Sequence, residues 1–507
     1  MQELKFTTLD LATAAKVSTS TPLEHFPKLI SDRCLENAQQ ELVDNITKNH
    51  KSGLGVSTET IAMPKGRFGT RPVDVISIGA RATYTALVNQ IGPTLPEESR
   101  ATGWQNHRSF GTEGEHEYIV DLDVASCYEY IDHAILQDEL MLRSSDRALS
   151  TAIVDLLGQF FSRPRGLPQM LHSSDRLADT YLSIIDRSLL RRELSHNRFA
   201  DDIKIASRDW ESANDIIEDY ASQLRKIGLI LSSEKTKISK RETLIRARSD
   251  EDEFFLKYMN AIDSQMTVVQ FFASGPYGDD SEDELNDDDS SHTHEDVSVV
   301  DNVRTAARNI LSDIKRSWTT ENGISPVQRS SLGTSLRLLE SDNDAVPAEL
   351  LQFVASRDRR SLENICNYAI NRATDTSGNL DTADAQWDRF NALSSVSRQS
   401  PWAKLWLLAT FQALPDADSN SVDEACRWVS GQLEDSHEIV RAEAAWSLAK
   451  KSLLTDDTFT RVFATSSPLT QPGLVAAAVK QGSLPKSTLN QLKQDQLGKA
   501  AAAWAEK

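Results

Sequence analysis

The 507-residue sequence has few cysteines and no long apolar run. Its four cysteines, Cys34, Cys127, Cys366 and Cys426, are scattered, with no CxxC pair and no nearby histidine pair. This spacing argues against a disulfide framework or a zinc site and suits a reducing cytoplasm. No stretch approaches the ~20 apolar residues of a membrane span, and the N-terminus carries no signal-peptide pattern. We therefore expect a cytoplasmic protein without a membrane partner.

The chain also lacks an excess of basic residues, because its formal net charge is −20. Such a charge by itself argues against binding to nucleic acid. Residues 1–250, however, hold 31 Lys and Arg against 36 Asp and Glu, whereas the rest of the chain holds 24 against 39. From Lys235 to Arg248 there are six basic residues and one acid. The first half can therefore contain a local basic surface that contacts a phosphate backbone.

Two adjacent acids, Asp201 and Asp202, lie in the stretch Arg198–Ile205, where apolar and polar residues then alternate. The alternation predicts a β-strand and places the acid pair at the turn of a hairpin, and Trp210–Lys226 after it reads as an amphipathic helix. A tight turn suits metal ligands, because the hydrogen-bonded strands on either side restrict the movement of both carboxylates. The pair alone is weak evidence, because Asp279-Asp280 in the same chain is typical of a solvated acidic run.

A third acid, Asp123, follows the apolar stretch Tyr118–Leu122. The pattern predicts a strand that ends at Asp123 and a helix that follows it. Tyr128 lies five residues further on. Its ring either forms the floor of a sugar pocket and excludes a 2′-hydroxyl, or it is an ordinary core aromatic.

Two further segments are candidates for nucleotide contacts. Residues 61–75 read as strand, glycine-containing turn and strand, with Lys65 and Arg71 beside the turn. These cations either bind a triphosphate or are ordinary surface residues. Gly166-Leu167-Pro168-Gln169 reads as a turn that feeds a helix. Gln169 either contacts a templating base pair or belongs to a loop that caps the helix.

In this order, the blocks resemble those of reverse transcriptases, and among them the bacterial enzymes related to group II introns and retrons. The resemblance covers roughly residues 60–240, with Lys65 and Arg71 where the family keeps its fingers residues. Four blocks carry it: Asp123 with Tyr128 and His133; Gly166-Leu167-Pro168-Gln169 with Ser174, Leu177-Ala178 and Tyr181-Leu182; Phe199-Ala200-Asp201-Asp202; and Gly228-Leu229 with Lys235-Thr236-Lys237-Ile238.

Four positions depart from the family pattern. Cys127 stands where an aromatic is usual, Met170 where Gly follows Pro-Gln, Phe199 where Tyr is commoner, and Ser232 where Asn is expected. The missing glycine matters most, because that glycine lets the template strand approach closely. Together with a helical tail, which the sequence predicts at residues 298–507, these departures make the chain resemble the abortive-infection and "unknown group" reverse transcriptases of bacterial phage defence.

The resemblance implies an enzyme, an RNA-directed DNA polymerase that uses dNTPs, and it assigns roles to individual residues. Two Mg²⁺ ions are the implied cofactors, with Mn²⁺ as an alternative. The implied metal ligands are Asp123, Asp201, Asp202 and the Val124 carbonyl. The implied nucleotide contacts are Lys65 and Arg71 on the triphosphate, Tyr128 on the deoxyribose, Gln169 near the template, and Lys235 as proton donor to the leaving group.

The expected fold class is α+β, a right-hand polymerase core of fingers and palm at 61–240 followed by an all-α domain. A helical segment at 1–60 precedes the core, and a thumb-like or closing element at 241–276 follows it. Between Tyr277 and Asp296 there are ten acids and no Lys or Arg, which predicts a disordered acidic linker at 277–297. Residues 298–507 are expected to be helical, and Glu438–Ala449 resembles the second helix of a HEAT-type repeat.

The expected partners are dNTPs, an RNA template or a single-stranded DNA product, a phage or host protein trigger, and a second copy in a homo-oligomer. The missing glycine and the large tail favour synthesis with little or no template, primed from a protein hydroxyl. Two alternatives stay open. One is a polymerase-fold scaffold or regulator whose tail senses a phage or host protein. The other is an RNA-dependent RNA polymerase, which Tyr128 disfavours.

Overall fold

A computed structural model of the protein describes residues 6–21, 23–50, 55–65, 69–249, 297–320, 326–375, 381–396, 399–417 and 419–507. Its contacts divide the chain into two compact units, each built from segments that are distant in sequence. The first unit contains Met1–Thr21, Gln39–Thr58 and Val73–Asp250, and the second contains Pro22–Ala38, Glu59–Pro72 and Glu251–Lys507. The sequential domain boundaries given above stay a prediction.

The first half of the chain mixes helices and strands, which confirms the α+β class. Its helices are α1 (Leu11–Ser20), α2 (Ile30–Arg33), α3 (Gln39–Asn49), α4 (Ile78–Ile91), α5 (Trp104–Ser109), α6 (Cys127–Tyr130), α7 (His133–Ser144), α8 (Arg147–Phe160), α9 (His172–Arg191) and α10 (Trp210–Lys226). Its strands are β1 (Thr58–Lys65), β2 (Gly69–Ile76), β3 (Tyr118–Leu122), β4 (His196–Phe199), β5 (Asp202–Ser207) and β6 (Lys237–Lys240). Short 3₁₀ turns lie at Phe6–Thr8, Gly92–Thr94 and Ser99–Thr102.

An antiparallel sheet with the strand order β4-β5-β3-β6 forms the centre of the first unit. Leu122 pairs with Ile203, and both side chains are buried. Asp121 lies between Lys204 and Lys237, with amine-to-carboxylate distances of 2.8 and 3.6 Å. Because side chains alternate along a strand, this sheet has one apolar face and one polar face.

Helices α9 and α10 follow the predicted periodicity. In α9 the buried positions include Ser174, Leu177, Ala178, Tyr181 and Leu182, the spacing that the sequence predicts for a helix face. α10 begins and ends at the predicted residues, and the Asp209 side chain caps it by accepting from the Ser212 N–H at 2.7 Å. β1 and β2 form the predicted hairpin, whose turn at 66–68 lies outside the described residues.

The second unit is largely helical. Its C-terminal part consists of the helices Val297–Thr320, Pro326–Leu338, Ala348–Arg357, Leu362–Thr374, Ala383–Ser394, Pro401–Ala413, Asn420–Gly431, Glu438–Lys450, Asp456–Ala464, Gln471–Gln481, Lys486–Leu492 and Gln496–Ala505, with 3₁₀ turns at Arg359–Ser361 and Gln432–Glu434. This confirms a helical C-terminal region, and the HEAT-type repeat stays a prediction. Residues 250–296 lie outside the described residues, and with them the acidic linker except its last residue, Val297, which begins a helix; residues 241–249 are helical.

An early segment of the chain packs within this helical unit. The indole N–H groups of Trp402 and Trp406 both donate to the His25 carbonyl, at 2.8 and 3.1 Å. The Ile30 N–H donates to the buried carboxylate of Glu443. Helix α2 is thereby fixed to helices more than 400 residues later in the sequence. None of the helices in the described parts of the chain combines the length and the hydrophobicity that a membrane span requires.

Candidate active site

Three carboxylates meet at one end of the antiparallel sheet. Asp123, Asp201 and Asp202 each place a carboxylate oxygen within 4.8 Å of the others. Asp123 is 5% exposed, and the other two are half-buried. Like charges this close repel one another, so the cluster requires a compensating positive charge. The structure thus brings together the three acids that the sequence proposed as metal ligands.

The sheet register explains why the acids converge. β3 ends at Leu122, one residue before Asp123, and β5 begins at Asp202. The two strands are antiparallel neighbours with Leu122 opposite Ile203, so the next position brings Asp123 beside Asp202. The hairpin turn of Ala200 and Asp201 adds the third carboxylate.

Val124 continues the strand past Asp123 and pairs with Leu231. The Asp123 carbonyl accepts from the Ser232 N–H and the Ala125 N–H donates to the Ile230 carbonyl, each at 2.8 Å. Backbone directions alternate along a strand, so the Val124 carbonyl lies on the opposite side of the chain from Leu231. That other side is the side of β5, the strand that begins at Asp202, and the role of the carbonyl as a metal ligand stays a prediction.

Lys235 supplies a positive charge to the cluster. Its ammonium donates to Asp123 Oδ1 at 2.7 Å, while its side chain is half exposed. Burial alone would lower the pKa of Lys235, but the hydrogen bond and the negative charges of the cluster raise it on balance. Lys235 is therefore protonated at neutral pH and points at the predicted metal ligands.

Tyr128 lies close to the cluster and is fixed by its hydroxyl group, which donates to Asp175 on α9. Burial, together with the charge of Asp175, raises the pKa of the Tyr128 hydroxyl, so it stays protonated. Arg100 pairs with the other Asp175 oxygen at 3.5 Å. Tyr128, Asp175 and Arg100 line a pocket together with Asp201. The sequence indicated Tyr128 but gave no signal for Asp175 or Arg100, because their contacts join distant segments.

The second sequence block is tied to the first by backbone hydrogen bonds. The Leu167 N–H donates to the Tyr128 carbonyl at 2.8 Å, and the Gly166 N–H donates to the Ile131 carbonyl at 2.9 Å. His133 Nε2 lies 2.8 Å from the Gly166 carbonyl. Gly166 has φ of +111°, a conformation that other residues adopt only with strain.

Gln169 and Met170, which follow Gly166 in the second sequence block, are two further residues that the sequence indicated. Gln169 is buried, at 9% exposed. Met170 has φ of +64°, in the left-handed region. A glycine adopts this conformation freely, whereas any other residue is strained by about 1 kcal/mol. The backbone therefore explains the glycine of the family pattern at this position, and this chain tolerates methionine there.

Lys65 and Arg71 lie on the β1–β2 hairpin, in a segment that groups with the second unit. Within that unit, the positive charge of Arg71 contributes to lowering the pKa of Arg360, after the larger effect of burial. Their role on a triphosphate stays a prediction. Asp123, Val124, Tyr128, Gln169, Asp201, Asp202 and Lys235 all belong to the first unit.

Three carboxylates at one end of the two central strands, β3 and β5, with a lysine beside them, form a group that could hold a metal ion. Residues 63–256 match the family described as reverse transcriptase (RNA-dependent DNA polymerase). The chain therefore carries a reverse-transcriptase domain and is, by enzyme class, an RNA-directed DNA polymerase. The matched segment spans under half of the chain and includes all of the site residues named above.

Among solved structures, the chain is similar to the telomerase from Candida albicans in complex with a TWJ fragment of telomeric RNA. The two share 12% sequence identity over 77% of this chain and 68% of that chain, with a TM-score of 0.27. This TM-score is too low to establish a shared fold. No curated protein matches the chain.

Proposed function

We propose that this protein synthesises DNA from dNTPs at the site formed by Asp123, Asp201 and Asp202. The single observation that carries the proposal is the convergence of these three carboxylates within 4.8 Å inside the segment that matches reverse transcriptases. A core feature of the fold would not need three acids in mutual repulsion.

The donor set fits a hard divalent cation. Carboxylate and carbonyl oxygens are the ligands that Mg²⁺ and Mn²⁺ prefer, and within the part of the chain that the structure describes no sulfur or imidazole ligand belongs to the cluster. Asp123 and Asp201 would hold two Mg²⁺ ions, with Asp202 and the Val124 carbonyl completing the set. When bound, the ions would lower the pKa of a primer hydroxyl and neutralise the triphosphate.

The surrounding residues have separate tasks in this proposal. Tyr128 places its ring beneath the sugar and excludes a 2′-hydroxyl, which favours dNTPs over ribonucleotides. Lys235 donates a proton to the leaving pyrophosphate, consistent with its protonated state. Lys65 and Arg71 hold the triphosphate, and Gln169 contacts the templating position, which an RNA strand would occupy.

The biological role that we propose is antiphage defence by abortive infection, with synthesis that needs little or no template. Met170 supports this, because it adds a side chain where a glycine would let the template approach. The extensive helical unit supports it too, as a surface for a phage or host trigger protein or for a second copy. A protein hydroxyl would then serve as the primer, and single-stranded DNA would be the product.

The first test neutralises a ligand without changing its volume. Asp123→Asn and Asp201→Asn should each reduce dNTP incorporation by about 10³-fold or more, with an unchanged circular dichroism spectrum. Asp138→Asn, at an exposed acid on α7, is the matched control and should retain activity. Near wild-type incorporation by Asp201→Asn would show that the site is assigned wrongly and would favour the scaffold alternative.

The second test separates templated from untemplated synthesis. Purified protein is given Mg²⁺ and each dNTP singly, with and without an added RNA, and the products are resolved on a denaturing gel. DNA made in cells is sequenced in parallel. Products without a source strand are expected. Long products that match a cellular or phage RNA would overturn the untemplated proposal and leave the polymerase assignment standing.

A further inference from the structure

The turn that carries Asp201 has a strained backbone. Phe199 pairs with Asp202, which leaves Ala200 and Asp201 as the two turn residues. Ala200 has φ of +55°, in the left-handed region that an alanine adopts only at a cost. Since a one-ångström displacement of a carboxylate changes how it binds a metal, something must hold this turn in place.

A closed ring of hydrogen bonds surrounds the Ala200 residue. The Ala200 N–H donates to Ser99 Oγ at 3.0 Å, and the Ser99 N–H donates to Asp179 Oδ2 at 2.9 Å. Arg198 Nη1 donates to Asp179 Oδ1 at 2.5 Å and to the Ala200 carbonyl at 3.0 Å. Both polar groups of the Ala200 backbone are therefore bound, and neither peptide plane beside Ala200 can rotate freely.

The ring is buried and anchored to α9. The Arg198 side chain is 9% exposed and that of Asp179 is 6% exposed. The remaining guanidinium N–H groups of Arg198 donate to Asp186, with Nη2 to Oδ2 at 2.7 Å. Charge-assisted and bidentate hydrogen bonds in a buried position are among the strongest and most directional in proteins. Asp179 and Asp186 lie two turns apart on one helix, so α9 is the rigid support.

We propose that Ser99, Asp179 and Arg198 are positioning residues that fix the Ala200–Asp201 turn and thereby set the divalent-cation affinity of the Asp201 carboxylate. Their hydrogen bonds join them to the Ala200 backbone and to one another, so they act through the turn. The inference rests on the proposed function, because it presumes that Asp201 is a metal ligand. Outer residues of this kind typically change metal affinity by about 10- to 100-fold when they are altered.

The test measures metal binding directly, on the full-length protein without nucleotide. Free and bound Mn²⁺ are distinguished by electron paramagnetic resonance during a titration. Ser99→Ala removes the acceptor for the Ala200 N–H and should weaken Mn²⁺ binding by about fivefold, the equivalent of one hydrogen bond. Arg198→Lys keeps the positive charge but loses the planar guanidinium that bonds several acceptors at once. It should weaken Mn²⁺ binding by about tenfold or more.

Matched controls remove comparable groups elsewhere. Ser109→Ala deletes a hydroxyl that donates to the Asn106 carbonyl, and Arg187→Lys breaks a bidentate pair with Glu139. Both controls should bind Mn²⁺ like the wild type. In activity assays, Ser99→Ala should require more Mg²⁺ for half-maximal dNTP incorporation, and excess Mg²⁺ should restore its rate. A purely structural role for Ser99 would not move the metal dependence.

Asp201→Asn separates the two proposals. If it abolishes Mn²⁺ binding while Ser99→Ala and Arg198→Lys bind normally, the positioning role is wrong and the proposed function stands. If Asp201→Asn itself binds Mn²⁺ like the wild type, both proposals fail. Should Arg198→Lys not fold, as judged by its thermal transition, Ser99→Ala decides alone, since it removes only one hydroxyl.

Discussion

Tyr128 is held at both ends, by its backbone and by its ring hydroxyl. Its carbonyl accepts from the Leu167 N–H, and its hydroxyl donates to Asp175. Asp175 in turn pairs with Arg100. A ring that is fixed in this way can discriminate by shape, because it cannot move aside for an additional oxygen. A tyrosine that only fills a core also finds a partner for its hydroxyl, so the nucleotide preference itself has to be measured.

We predict that Tyr128→Val relaxes discrimination between dNTPs and ribonucleotides by about tenfold or more, since removing the ring opens space beneath the sugar. The measurement is kcat/KM for each nucleotide. Tyr128→Phe is the control, because it keeps the ring and loses only the hydrogen bond to Asp175, so its discrimination should change less. An unchanged nucleotide preference in Tyr128→Val would mean that Tyr128 is an ordinary packing residue.

The Lys235 ammonium lies 2.7 Å from Asp123, one of the three acids of the carboxylate cluster. We predict that Lys235→Ala lowers the free energy of unfolding in EDTA by about 1 kcal/mol or less, since the lysine is half exposed. In saturating Mg²⁺ the difference should shrink, because the ion then supplies the positive charge. Thermal melts in both buffers check this.

The control for that experiment is Lys237→Ala. Lys237 is 63% exposed and lies 3.6 Å from Asp121, outside the carboxylate cluster. Its removal should change the melting temperature little and equally in both buffers. An identical loss for Lys235→Ala with and without Mg²⁺ would argue that Lys235 does not share the metal's position.

At the scale of elements, sequence periodicity predicted the strands and helices that carry the acids. α10 has the predicted bounds, because local periodicity and capping determine them. The β4–β5 hairpin turns at Ala200 and Asp201, one residue before the predicted acid pair, and Asp202 already belongs to β5. The turn at Ser99–Thr102 and its contact with Ala200 could not be predicted. Ser99 acts on a residue 101 positions away, and only the folded chain brings the two together.

The hydrogen bonds of Arg198 show the same difference between what a local sequence pattern predicts and what depends on contacts between distant residues. Arg198 is the first residue of the stretch that contains Asp201 and Asp202. The sequence around it nevertheless predicts no function for its side chain. Its partners Asp179 and Asp186 lie on α9, where they look like ordinary acids of an amphipathic helix. A local pattern can indicate a ligand, whereas the groups that hold the ligand in place depend on tertiary contacts.

The helix Glu438–Lys450 holds α2 through one buried acid. Glu443 accepts from the Ile30 N–H, and its other oxygen accepts from Gln412 Nε2 at 3.1 Å. We predict that Glu443→Ala lowers the free energy of unfolding by about 1–3 kcal/mol, because the buried Ile30 N–H loses its partner. Urea denaturation followed by tryptophan fluorescence measures this. Glu424→Ala, at an exposed acid, is the control.

The stability difference between the wild type and Glu443→Ala should depend on pH, in a direction that the pKa of Glu443 determines. Burial raises the pKa of Glu443 above its ordinary value of 4.5, so the folded state retains the proton to higher pH than the unfolded state. As the pH rises from 4.5 through the raised pKa, ionisation therefore removes stability from the wild type. The alanine variant has no such group. The difference in the free energy of unfolding between the wild type and Glu443→Ala should therefore become smaller as the pH rises. A difference in the free energy of unfolding that grows with rising pH would contradict the raised pKa of Glu443.

At the scale of the whole molecule, the two units share the N-terminal half of the chain. Pro22–Ala38 and Glu59–Pro72 group with the helices of the C-terminal region. Leu23, Phe26 and Ile30 are each at most 4% exposed. We therefore predict that fragments 1–250 and 297–507, co-expressed as separate chains, purify together. Pull-down through a tag on either fragment is the measurement.

Substituting the buried contact tests the basis of that association. Ile30→Asp would place a charge where Ile30 packs against Gly473, and it should abolish co-purification. Val17→Asp, at an exposed position on α1, should leave it intact. If the fragments fail to associate although each is soluble, the packing of the early segment on the C-terminal helices would be too weak to matter.

The shared segments also have a consequence for protein synthesis. A ribosome that has made Phe26 must still make Trp402 and Glu443 before that part of the chain finds its partners. At about 5–20 residues per second, the delay between Phe26 and Trp402 is roughly 20–75 seconds. During this time the apolar segment is a substrate for chaperones and proteases. A message cut in its second half would therefore yield a chain that is cleared, so an untethered polymerase half should not accumulate in the cell.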